Sequence, residues 1–238
     1  MTATPPAKSA VRRAGSNLRR FKTGECTPEQ FDEALKTVIG FRAQFSEPLV
    51  VVQTELRRIH EALNMQGEPS QQVTQRLKKL ATILDKLTRE SGLDLSRMQD
   101  IGGCRMVVET LPHLRLVEEE VRRSWGDNLG HVKDYIESPR DSGYRAVHMI
   151  VKENGFQIEI QLRTEAMHSW AVLVEAFSGV AGENFKQDGG HLIQDFLRLM
   201  SEHAALSETG VTVSQSQLDR MHTLRNEVIE YLDASNEA

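Results

Sequence analysis

The sequence predicts an α+β fold, and three observations lead there. Strand-like patterns gather in one central region: the apolar run Met106-Val107-Val108, then 131–136, 147–153 and 156–163. Within the last of these, Ile158, Ile160 and Leu162 alternate with Glu159, Gln161 and Arg163, which puts the polar set on one strand face. Amphipathic spacing of about 3.6 residues precedes and follows that region, so helices should flank the sheet.

The 238 residues are 39% hydrophobic and 26% charged, enough for a core in an ordinary soluble protein. Cys26 and Cys104 lie far apart and match no disulfide or metal spacing, which fits a reducing compartment. No run approaches the roughly 18–20 apolar residues of a membrane span, and the N-terminus lacks the apolar core of a signal peptide. A cytoplasmic location is expected. No GxxxxGK[ST] or GxGxxG pattern occurs, so neither a Walker loop nor a dinucleotide fingerprint accounts for any phosphate binding.

Charge is unevenly placed. The first 24 residues hold six bases (Lys8, Arg12, Arg13, Arg19, Arg20, Lys22) and no acid, on a chain of net charge −5. Residues 1–25 therefore read as a basic arm, expected to be disordered and suited to a polyphosphate or nucleic-acid partner. Residues 26–185 read as the main domain, including its N-terminal helices, and 186–238 as C-terminal helices.

Thr27-Pro28-Glu29-Gln30 has the form of a helix start, with Thr27 as cap and Pro28 in the first turn. That helix carries Phe31, Leu35, Val38 and Ile39; Pro48 interrupts it, and a second runs from about 49 to 64. After a turn at 67–70, residues 71–90 read as a third helix, with Lys79, Thr82 and Lys86 on one side and Arg76 three residues before Lys79. Such a row suits a nucleotide's phosphates, although a solvated helix face looks the same in composition. Asp100, followed by Gly102 and Gly103, stands at the edge of the 106–108 strand. A carboxylate there suits Mg²⁺, and the glycines let a backbone or ligand come close. Helices are expected at 112–125, 165–178, 190–206 and 214–233.

The densest chemistry lies in Lys133–His148, KDYIESPRDSGYRAVH, where a strand-like DYI leads into a turn built on Pro139 and Gly143. With 158–164 it suggests two sides of one nucleotide site.

Together these segments resemble the synthetase domain of the RelA/SpoT family, most closely its single-domain members, the small alarmone synthetases. Four blocks carry the resemblance, in order: Arg76, Lys78, Thr82, Ile83 and Lys86; Asp100 to Arg105 (DIGGCR); Lys133 to His148; and Glu159 to Thr164 (EIQLRT). The resemblance implies a mixed sheet of about five strands, nucleotidyltransferase-like, with added N- and C-terminal helices. It implies an enzyme that moves the β,γ-pyrophosphate of ATP to a ribose 3′-hydroxyl and releases AMP. By the same resemblance Arg76, Lys78, Lys86 and Arg105 bind ATP, and Asp100 and Glu159 are catalytic and hold Mg²⁺. Tyr144 stacks on the acceptor base, and Lys133, Arg140, His148, Gln161 and Arg163 surround the acceptor.

Those roles agree with elementary chemistry. Pyrophosphate is strongly anionic, so positioning and charge neutralisation should dominate. A ribose hydroxyl is a poor nucleophile until metal or carboxylate draws off its proton.

Arg140 and Ser142 depart from the Lys and Asn usual in guanine-nucleotide-making relatives. With the acid-free arm, that departure favours the branch whose members modify the 3′-terminal adenosine of tRNA and pair with an antitoxin; GDP or GTP is the alternative acceptor. Homo-oligomers are a further candidate assembly. A nucleotide-binding module without chemistry is the third reading, disfavoured because both Asp100 and Glu159 are present.

Overall fold

The computed structural model describes residues 6–21, 23–181 and 192–236. They form two compact units by contact: one drawn from Met1–Met106, Val121–His131 and Met149–Gln161, the other from Val107–Glu120, Val132–His148 and Leu162–Ala238. The domain boundary expected at 185–186 lies outside the described residues. Five strands among the described residues make one sheet: β1 (Val73–Leu77), β2 (Gly102–Val108), β3 (Leu129–Asp134), β4 (Val147–Glu153) and β5 (Phe156–Thr164). Their order is β1-β2-β5-β4-β3, the mixed sheet of an α+β fold as expected.

Within the basic arm, expected to be disordered from its composition, the described residues in the first unit include a helix. Lys8–Phe21 is a helix, α1, that buries Val11, Ala14, Gly15 and Leu18. These fall on one stripe at helical spacing, with Arg13 and Arg20 exposed on the other side and Arg12 and Arg19 flanking the stripe. The charge count had masked that period. Arg12 Nε lies 2.8 Å from Asp94 Oδ2, and Arg19 donates to the Leu87 and Leu93 carbonyls at 2.9 and 2.6 Å. Arg19→Ala should therefore cost about 1–3 kcal/mol, read as a fall of roughly 2–10 °C in Tm. Arg13→Ala, at an exposed position, should leave Tm unchanged; equal effects of the two would remove the structural role of Arg19.

Helix α2 (Pro28–Ala43) begins as expected. Thr27 accepts from the Gln30 N–H, the Gln30 side chain accepts from the Thr27 N–H, and Pro28 fills the first turn. Pro48 sits in the opening turn of α3 (Ser46–Ala62), where a missing N–H costs nothing. The buried faces of these helices, Ala34, Val38 and Phe41 on α2 and Leu49, Val52, Leu56 and Ile59 on α3, belong to the core of this unit.

The single helix expected over 71–90 is instead a short helix α4 (Pro69–Gln72), strand β1 and helix α5 (Leu80–Arg89). β1 pairs antiparallel with β2, Arg76 opposite Gly103 and Leu77 opposite Gly102, and Lys78 N–H continues the pairing to the Ile101 carbonyl at 2.8 Å. Pairing with β2 overrides the helix propensity of Gln75, Arg76 and Leu77. The consequence is functional: Arg76 and Lys78 come from a strand and its end, Lys86 from a helix.

β4 and β5 are joined by Asn154 and Gly155 alone, both at positive φ (49° and 81°). That is the Asn-Gly two-residue turn whose twist suits a hairpin. In the second unit, α6 (Leu111–Trp125) contributes its Leu111–Glu120 portion, followed by the loop after β3, α7 (Glu165–Ala181), α8 (Leu192–Glu208) and α9 (Gln215–Asn236). Tyr144, Ala146, Trp170, Val174, Phe196, Leu197 and Val228 are among the residues of its core. No helix among the described residues is long and apolar enough to cross a membrane.

Candidate active site

In the first unit, Asp100 holds two lysines. Lys78 Nζ donates to its Oδ2 at 2.8 Å and Lys86 Nζ to the same oxygen at 3.0 Å. The other oxygen, Oδ1, is buried and has no hydrogen-bond partner. Burial by itself would raise the Asp100 carboxyl, but hydrogen bonds and charge from Lys78 and Lys86 outweigh it and hold the group below the usual aspartate range. A charged oxygen with nothing to accept from is suited to a hard cation. Mg²⁺ characteristically takes one or two carboxylates and completes its shell with water and substrate phosphates. Among the described residues no group of three or more His, Cys, Asp or Glu side chains gathers.

Beside this lies a pocket of about 110 Å³ lined by Thr74, Gln75, Arg76, Gly103, Cys104, Arg105 and Gln161. Two arginines, Arg76 and Arg105, are among its lining residues. Arg105 Nη2 donates to Thr74 Oγ1 at 3.3 Å across the β1–β2 pair. Glu159 and Gln161 stand on β5 two residues apart, and Gln161 Nε2 donates to Glu159 Oε2 at 2.7 Å. A Cβ on Gly103 would lie 3.3 Å from the Glu159 carbonyl oxygen. The glycine allows the close backbone approach expected of it, and the neighbour it admits is β5.

In the second unit the Lys133–His148 stretch forms an aromatic and cationic group. Tyr144 Oη accepts from Arg163 Nη2 at 3.0 Å and lies 2.6 Å from His148 Nε2. Tyr135 stands edge-on to Tyr144 and His148, at 5.8 and 5.2 Å between ring centroids. The exposed Arg140 places its guanidinium 4.6 Å from the Tyr135 ring centre and donates to Tyr135 Oη at 2.9 Å. Lys133 is exposed on β3.

Here the structure differs from what the resemblance implied. Tyr144 is 6% exposed and packs in the core with Trp170, 6.2 Å between ring centres. It offers no open face to a base in this conformation, because its hydroxyl has two polar partners and its ring fills the cluster. Ser142 is also buried, so its substitution for Asn does not alter an exposed side chain.

A family profile described as the region found in RelA / SpoT proteins matches residues 75–178. The chain is 30% identical over 157 residues to the GTP pyrophosphokinase YjbM of Bacillus subtilis (strain 168), a match covering 62% of this chain and 72% of that protein. The chain belongs to the RelA/SpoT family. It is also 28% identical over 161 residues to the probable chloroplastic GTP diphosphokinase RSH2 of Arabidopsis thaliana, covering 67% of this chain and 22% of that protein. It thus spans about a fifth of the length of that longer relative. Among solved structures, the small alarmone synthetase 1 of Bacillus subtilis bound to its product pppGpp superposes with a TM-score of 0.57 at 25% identity, covering 79% of this chain and 94% of that one.

For a RelA/SpoT-family chain, the four sequence blocks do become local clusters: Lys78, Lys86 and Asp100 form one, Arg76, Arg105 and Gln161 border the pocket, and Tyr144, His148 and Arg163 form another. Sequence reasoning missed Tyr135 as the partner of Arg140. It also missed Gln194, Ser201 and Glu208, which bond to the loop and the end of β5. Tyr135 was legible, lying five residues from Arg140 in the same block; the other three are polar residues in a helix taken as packing alone.

Proposed function

We propose that the protein is a pyrophosphokinase that transfers the β,γ-pyrophosphate of ATP to the 3′-hydroxyl of a guanine nucleotide, GDP or GTP. One observation carries the reading: Asp100 keeps a buried, unpartnered, charged oxygen while its other oxygen gathers two lysines. Family membership and the relatives' names support a guanine nucleotide as the acceptor.

Arg76, Arg105, Lys78 and Lys86 bind the triphosphate, and Asp100 with Glu159 would hold Mg²⁺, which neutralises phosphate charge when bound. Glu159 takes the proton of the acceptor hydroxyl, and Gln161 orients that carboxylate through its hydrogen bond. The acceptor's 3′-oxygen forms a bond to the β-phosphorus, the bond from that phosphorus to the α,β-bridging oxygen breaks, and AMP leaves with the electron pair. Lys133, Arg140 and His148 meet the acceptor and its phosphates; Tyr144 fixes His148, and Arg163, itself 5% exposed, anchors the Tyr144 hydroxyl from behind.

The lean towards tRNA loses its first support, because α1 packs its apolar stripe into the first unit and engages Arg12 and Arg19 within the protein. The substitution at Ser142 supports it little, the residue being buried.

The test is incubation of the purified protein with γ-labelled ATP and, separately, GDP, GTP or tRNA. The expected result is label on guanine nucleotide with matching AMP. Label on tRNA alone would overturn the acceptor, and no acceptor-dependent AMP would overturn the reaction.

A further inference from the structure

Three polar residues of α8 are spaced seven apart, and each bonds to the stretch that follows Arg140 or to the end of β5. Gln194 Nε2 donates to the Ser142 carbonyl at 2.9 Å. Ser201 Oγ donates to the Gly143 carbonyl at 2.6 Å. Glu208 Oε2 accepts from Arg145 Nη1 at 2.7 Å, and its other oxygen accepts from the Thr164 hydroxyl, next to Arg163. Seven residues are close to two helical turns, so the three side chains form one row of roughly 21 Å along the helix.

The row is buried. Gln194, Ser201, Ser142 and Arg145 are 2, 4, 5 and 7% exposed. An apolar stripe would bury this helix face as well, and α8 has one in Ile193, Phe196, Leu197 and Leu199. Buried polar pairs contribute less to net stability than they do to fixing a single arrangement, since each bond has a required geometry. The loop needs such fixing. Gly143 has φ +87°, and a Cβ there would lie 3.0 Å from Arg198 Cα and 3.2 Å from Ser201 Cβ. Backbone therefore rests directly on helix at this point. The turn is closed by Gly143 N–H to the Arg140 carbonyl at 2.8 Å and Arg140 N–H to the Tyr144 carbonyl at 3.2 Å.

We propose that Gln194, Ser201 and Glu208 are positioning residues: they hold residues 140–145 and the end of β5 in the conformation that binds the acceptor nucleotide. This rests on the reading above for the identity of the ligand. The row belongs to the second unit, Asp100 and its lysines to the first. Its loss should raise the KM for the acceptor and spare the KM for ATP.

The experiment uses Ser201→Ala and Gln194→Met, which keep side-chain shape while removing the donor. Hydrogen exchange over 140–146 is measured with no ligand present, against 100–106 as an internal reference, and KM is measured for GDP and for ATP. Each variant should speed exchange in 140–146 at least about fivefold and leave 100–106 unchanged. Each should raise the GDP KM about 5- to 10-fold, the equivalent of one hydrogen bond, with the ATP KM within about twofold. Unchanged loop exchange in both variants overturns the proposal, as does an equal rise in the two KM values. A wild-type protein that transfers nothing to GDP or GTP overturns the acceptor reading, and loop exchange still decides whether the row orders the loop.

Discussion

Asp100→Asn should lower kcat for pyrophosphate transfer by about a hundredfold or more, with the protein still folded and the KM for ATP changed by less than about tenfold. The substitution keeps the shape of the side chain and one oxygen that accepts from a lysine. It removes the negative charge that would make the unpartnered Oδ1 a cation ligand, a loss of several kcal/mol where a metal neutralises phosphate. The guanidinium and ammonium groups of Arg76, Lys78, Lys86 and Arg105 remain, so ground-state attraction for the triphosphate persists. In the wild-type protein the two lysines already face a carboxylate, at 2.8 and 3.0 Å. On the proposed reading ATP would exchange one set of charge partners for another, phosphate oxygens coming to the lysines and Asp100 becoming available to a cation. An unchanged kcat in Asp100→Asn would sink this account, as would a loss confined to ATP binding.

Acid titration gives the same cluster a second signature. The Asp100 carboxyl is lowered in the folded protein, so the pair with Lys78 and Lys86 stabilises the fold above the ordinary aspartate pKa of about 3.9 and is lost as pH falls through the lower folded value. Asp100→Asn should therefore flatten the acid limb of the stability curve. Near neutrality its cost is moderated by the flexibility of lysine, whose stem swings the ammonium into water.

How much of this was readable from the sequence differs by element, and the difference is physical. β5 was legible because a half-buried strand shows a period of two, and the cap of α2 because Thr27, Pro28 and Gln30 satisfy end groups locally. β1 was not, since its reason for being a strand is β2, some 25 residues further on, and local propensity favours helix. The basic arm was misjudged because its charges were counted without regard to Val11, Ala14 and Leu18 on their own stripe. In the site, the identities of Asp100, Lys78 and Lys86 were readable, but the sharing of one carboxylate oxygen was not. The α8 row was invisible for a related reason: three polar residues seven apart on a helix look like scattered surface until the loop they bond to is placed against them.

Tyr144→Ala should destabilise the protein by about 3–5 kcal/mol, the usual cost of truncating a buried aromatic side chain. The ring is 6% exposed and shares a core with Ala146, Trp170 and Phe196, and its oxygen bonds to Arg163 and pairs with His148. Alanine would leave a cavity beside Trp170 and remove an acceptor from a guanidinium buried to 5% exposure. Activity lost in this variant would say little about a base-stacking role, so Tyr144→Phe is the informative partner. Phenylalanine keeps the ring and removes only the hydroxyl. An exposed stacking platform would scarcely notice, because either ring stacks on a base with comparable strength. A buried anchor should lose about 1–3 kcal/mol of stability with the hydroxyl's two partners. It should also raise the acceptor KM, since Arg163 and His148 would no longer be held in place. Thermal unfolding and acceptor KM measured on Tyr144→Phe decide between the two: if both match the wild type, the tyrosine works through its ring face and the hydroxyl network is incidental.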